Sequence, residues 1–92
     1  MIVSFRDRDT ESLARGIRVS RFVAFESVAR RKLRQLEIAG CLDDLSVPPG
    51  DRLATLSDRA GQMSIRINDQ YRVCFVWTVA GPADVEIVDY HG

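Results

Sequence analysis

Two prolines in a row, Pro48 and Pro49, followed by Gly50, cut this chain into halves with different hydrophobic periods. Neither a helix nor a central strand continues through such a run, because proline lacks the N–H that both ladders use and glycine favours turns. Before the break, apolar residues recur at helical steps. Phe22, Phe25, Ala29, Leu33 and Leu36 make one stripe along a long helix. That helix is expected to start near Arg21 with Ser20 as its cap and to end at Ala39-Gly40, with Arg30, Arg31 and Arg34 on the opposite side. After the break the period drops to two: "MSIRI", "YRVCFVW" and "VEIVDY" alternate as half-buried strands do.

Weaker signals complete the order of elements. "MIVSF" is β-branched and aromatic and reads as a first strand. "DRDTESLARG" has its acids early, Arg15 late and Gly16 as a stop, the profile of a short helix. Arg52 to Leu56 reads as a short strand, "SDRAGQ" and "AGPAD" as turns, and Val85 to Val88 as the body of a final strand. Strands joined by short loops form an antiparallel meander. The expected architecture is α+β, with two N-terminal helices packed on one face of a mainly antiparallel sheet, in a single domain over residues 1–92.

Alternation also disposes the arginines. A two-residue loop after "MSIRI" would set an isoleucine opposite Arg72. A three-residue loop, Asn68-Asp69-Gln70, sets Ile67 opposite Tyr71 and Ile65 opposite Val73, and one buried face demands that register. Arg66 and Arg72 then face each other on the side away from the helices. Like charges directly opposite are destabilising, so the pair suggests an anion between them. The alternative is that each guanidinium pairs with Asp58, Asp69 or Glu86 on a solvated face.

Composition narrows the function classes. Net charge is zero, which argues against nucleic-acid binding through bulk charge. Of thirteen basic residues only Lys32 is lysine; arginine grips phosphate with a planar fork, although a GC-rich genome also favours arginine codons. No apolar run approaches the ~20 residues of a membrane span, and the N-terminus lacks a signal-peptide pattern, so no membrane role and a cytoplasmic location are expected. Cys41 and Cys74 read as free, buried thiols. One histidine and two distant cysteines make no metal site, and no cofactor is called for. That histidine, His91, follows Asp89 and Tyr90 directly after the final strand, so an acid, a phenol and an imidazole stand together at a strand's end.

"VPPGDRL", "DRAGQMSIRINDQYRVCFVW" and "VEIVDYH", in that order, resemble the HigB-type toxins of bacterial type II toxin–antitoxin systems, in the RelE/ParE superfamily. The resemblance runs from the first strand to His91. It implies a small microbial-ribonuclease-like fold and cleavage of mRNA in the A site of a translating ribosome. It also implies an antitoxin partner of the HigA type, usually encoded beside the toxin, whose helix-turn-helix domain binds operator DNA. RNA can be cut without a metal because its 2′-hydroxyl is an internal nucleophile. A base, an acid and cations facing the phosphoryl oxygens are then required. His91 suits acid or base work. Asp89 can orient it or act as a base, and Tyr90 can donate to phosphate or stack on a splayed base. Arg72 and Arg66 would supply charge, with Arg52 and Arg59 at the rim.

The chain departs from the family pattern in two places. Relatives commonly read leucine-lysine-glycine-aspartate-arginine before "GQ", whereas this chain reads Leu56-Ser57-Asp58-Arg59, one residue shorter and without the lysine. Some relatives carry a second catalytic histidine where this chain has Ala54 or Thr55, which leaves more of the chemistry to His91. Two other readings stay open: a ParE-like toxin that binds DNA gyrase without catalysis, and a weakly active toxin that acts mainly in the antitoxin's repressor complex.

Overall fold

The computed structural model describes residues 1–46, 54–55 and 61–89. Helix α1 (Arg8–Ala14) starts at Asp7, whose side chain accepts a hydrogen bond from the Thr10 N–H at 3.1 Å. This satisfies one of the donors that every helix start leaves open. Arg21 ties the following segment back to that corner, donating to Asp9 at 2.8 Å and to Asp7 at 3.3 Å.

The long helix is built differently from the expectation. Ser20–Phe25 is a 3₁₀ segment, and α2 proper runs over Glu26–Ile38. Ser20 is the first residue of the 3₁₀ turn and caps nothing; Val19 precedes it without a side-chain cap bond. Phe22 and Phe25 explain the difference. They are three residues apart, the step that eclipses at three residues per turn, and their rings lie 5.7 Å apart. From Phe25 onward the steps suit an α-helix, and Ala29, Leu33 and Leu36 are buried. Asp44, in a second 3₁₀ turn (Leu42–Ser46), accepts from the N–H groups of Gly40 and Cys41 just after α2. Those two bonds hold its carboxyl below the usual aspartate range.

The sheet has four strands in the order β1-β2-β3-β4, all pairs antiparallel: β1 (Ala54–Thr55), β2 (Gln62–Arg66), β3 (Tyr71–Thr78) and β4 (Gly81–Asp89). The helices cover one face. There Ile65, Val73, Phe75, Val85 and Ile87 pack with Phe22, Leu33 and Leu36 in a single core, and Tyr71 stacks on Phe25 with 4.3 Å between ring centroids. The α+β architecture expected from the change of period is therefore the observed one.

Three local readings need correction. "MIVSF" does not form a strand of its own. It runs parallel beside β4 through one bridge, Phe5 to Val85, with backbone bonds from Val3 N–H to Pro82 C=O, Val85 N–H to Ser4 C=O and Arg6 N–H to Val85 C=O. The segment then turns away because Asp7 is committed to capping α1. "AGPAD" is not all turn: Val79-Ala80 make the reversal and β4 already begins at Gly81. Pro82 is tolerated because its C=O faces Val3, so its missing N–H also lies on that side and outside the β3 ladder. A bulge follows, with Asp84 at φ +52, where the register against β3 shifts. Third, both cysteines are free, as expected, but only Cys74 is buried and Cys41 is exposed. Among the described residues, no helix is long and apolar enough to cross a membrane.

Candidate functional site

The β2–β3 hairpin places the two arginines. Its loop is Asn68-Asp69-Gln70, and the Asn68 side chain closes it by accepting from the Gln70 N–H at 2.9 Å and the Tyr71 N–H at 2.7 Å. This three-residue loop sets Ile65 against Val73 and Arg66 against Arg72, the register that alternation demanded. The Ile67 N–H bonds to the Tyr71 C=O. The Arg66–Arg72 pair therefore falls at a non-hydrogen-bonded position, where Cα atoms approach to about 4.5 Å and cross-strand side chains are nearest. Two guanidinium groups thus leave the sheet side by side, on the face away from α2.

Their partners differ. Arg66 pairs with Asp69 of the loop, a carboxylate that is almost fully solvent-exposed. Arg72 donates from Nη1 to Ser64 Oγ at 3.2 Å, and among the described residues it has no carboxylate partner. Ser64 is fully buried and a neutral acceptor, so it steadies the guanidinium without cancelling its charge. The sequence reading missed Ser64, although parity held the signal. Ser64 lies two residues before Arg66 on the same face and opposite Cys74, diagonal to Arg72. The far face is also less open than a solvated sheet would be: Gln62, Ser64 and Cys74 are buried there.

Asp89 ends β4 opposite Tyr71, while Val88 stands opposite Arg72. Cross-strand partners share a face, so Asp89 belongs to the Tyr71 side and the two arginines to the other. Its Oδ2 accepts from Gln70 Nε2 at 3.0 Å, which fastens the end of β4 to the β2–β3 loop. The structure thus brings Arg66 and Arg72 together and places Asp89 at the sheet's end, across from them. Tyr90, His91, Arg52 and Arg59 lie outside the described residues, as do Pro48, Pro49, Gly50 and the Leu56–Arg59 turn. Among the described residues there is no group of three or more side chains able to hold a metal ion.

A two-helix layer on an antiparallel meander is consistent with the fold of a RelE-like toxin. The family model described as "RelE-like toxin of type II toxin-antitoxin system HigB" matches residues 5–91, and the chain belongs to that family of HigB-like toxins. It is 35% identical over 94 residues to Toxin HigB-1 of Vibrio cholerae serotype O1 (strain ATCC 39315 / El Tor Inaba N16961), an alignment covering 99% of this chain and 98% of that one.

Proposed function

We propose that this toxin is a ribosome-dependent mRNA endoribonuclease that inhibits translation in the cytoplasm by cutting mRNA in the A site. The observation that supports this most is Arg72: a half-buried guanidinium set opposite a second arginine and held by a neutral hydroxyl. Such a group is an unspent cation aimed away from the core, and a phosphate is the ligand that relieves its repulsion with Arg66. In the proposed reaction the 2′-oxygen attacks phosphorus and the bond to the 5′-oxygen breaks, leaving a 2′,3′-cyclic phosphate and a 5′-hydroxyl. One group takes the 2′ proton and another delivers a proton to the leaving oxygen, so no metal or cofactor is required. Arg72 and Arg66 meet the charge that grows on the phosphoryl oxygens. His91 is the acid or base nearest neutral pH. Asp89, at the sheet's end on the Tyr71 side rather than on the arginine face, acts through His91 by orienting it or exchanging its proton, Tyr90 donates to phosphate or stacks on a base, and Arg52 and Arg59 contact the RNA backbone. A HigA-like helix-turn-helix antitoxin is the partner, and operator DNA is reached only through it.

Primer extension on a defined mRNA in a purified translation system tests this reading. Wild-type toxin should cut within coding sequence only when ribosomes are present. Arg72→Ala and His91→Gln should each lower single-turnover cleavage by about 10²-fold or more, with unchanged circular dichroism and antitoxin binding. Wild-type rates in both variants would sink the assignment. Growth arrest without any cleavage would favour the gyrase-binding alternative.

A further inference from the structure

The helical side of the molecule, on the other side of the sheet from the arginine pair, carries a groove of about 670 Å³. Its floor is apolar: Ile2 and Phe5 from the N-terminal segment, Leu13 from α1 and Leu33 from α2. Its rim is cationic, with Arg15, Arg30 and Arg34 around it. Arg15 is paired to Glu11 at 2.8 Å and Arg30 to Glu26 at 2.7 Å, yet among the described residues the buried Nε of Arg30 has no partner. Among the described residues Arg34 has no acidic partner. The carboxylate on the rim, Glu37, accepts from the Ile2 N–H at 2.7 Å, so it braces the groove's own wall.

Two wider features point the same way. Met1, Val3, Ile17 and Ile38 are exposed large apolar residues, and each adjoins a lining residue in sequence. The zero net charge also conceals a division. Residues 1–40 hold nine basic against five acidic side chains, and residues 41–92 hold four against eight. The helical side is thus a positive field around a greasy trough.

We propose that this groove seats a segment of the antitoxin in which acidic side chains flank large apolar ones. The apolar residues fill the trough between the N-terminal segment, α1 and α2, and the carboxylates meet Arg34 and the rim. The floor favours protein over RNA: four apolar side chains, one of them aromatic, offer a base little to stack on. The inference rests on membership of a toxin–antitoxin family and is independent of the ribonuclease reading, because its test reads binding.

The experiment titrates the purified antitoxin into the toxin by calorimetry, with Arg34→Glu and the Arg15→Glu/Arg34→Glu pair as variants. Both positions are exposed, so the fold should persist. The expected result is at least a tenfold rise in Kd for Arg34→Glu, a larger one for the pair, and a shallower salt dependence than wild type. Ribosome-dependent cleavage should be unchanged. Wild-type affinity in the pair would overturn the proposal. So would unchanged affinity with impaired ribosome binding, which would make the surface an RNA contact. A wild-type toxin that self-associates through Arg34 in sedimentation, with antitoxin affinity unaltered, would give the groove to a second copy and overturn it equally.

Discussion

At the scale of single residues, what was readable depended on whether a side chain's role follows from parity. Arg66 opposite Arg72 was readable because one buried face permits one register. That Arg66 would be shared with Asp69 while Arg72 would rest on Ser64 was not, because both options lie on the same face and only side-chain reach separates them. Gly81 is a second case. It reads as an ordinary turn glycine, yet it has φ +129 and sits where a Cβ would overlap the Met1 carbonyl oxygen. Only glycine combines that backbone with that approach. Gly81→Ala should lower stability by at least about 1 kcal/mol and loosen the first residues from β4. A urea titration with amide exchange at Val3 checks it, and an unchanged midpoint would show that the close approach is not needed.

At the scale of elements, the change of period at the prolines separated helices from strands correctly, because periodicity reports burial over a dozen residues. It failed over shorter spans. Six residues of 3₁₀ turn cannot be told from a helix start by a stripe whose first step is three, and a parallel pairing as short as Val3–Arg6 leaves no period at all. The junction of α1 with β4 was beyond any pattern. Thr10 is fully buried, and its Oγ1 accepts from the Ile87 N–H at 3.0 Å. It takes over along the strand edge where the N-terminal segment leaves. Thr10→Val keeps the shape but strands a buried donor, so a loss of about 1–3 kcal/mol is expected; Thr10→Ser should retain most of the bond. Equal stabilities for the two variants would show that water serves that amide as well.

At the scale of the whole molecule, the two ends of the described chain close one edge. Residues 3–6 and Thr10 together satisfy the outer side of β4, which would otherwise be an open template for strand pairing. Removing residues 1–5 should cost more than about 2 kcal/mol through the lost Phe5 packing and backbone bonds, and should produce concentration-dependent association in sedimentation. A monomeric, equally stable truncation would contradict this. The same closure sets a timetable during synthesis. Residue 5 waits for residue 85 to leave the ribosome, and contacts so far apart in sequence form late. Ile2 and Phe5 floor the groove only once they have docked on β4, and β4 carries Asp89 to the sheet's end. If the groove is the antitoxin's seat, that seat is completed no earlier than the strand that carries Asp89. The antitoxin would then hold only a molecule whose final strand is already in place.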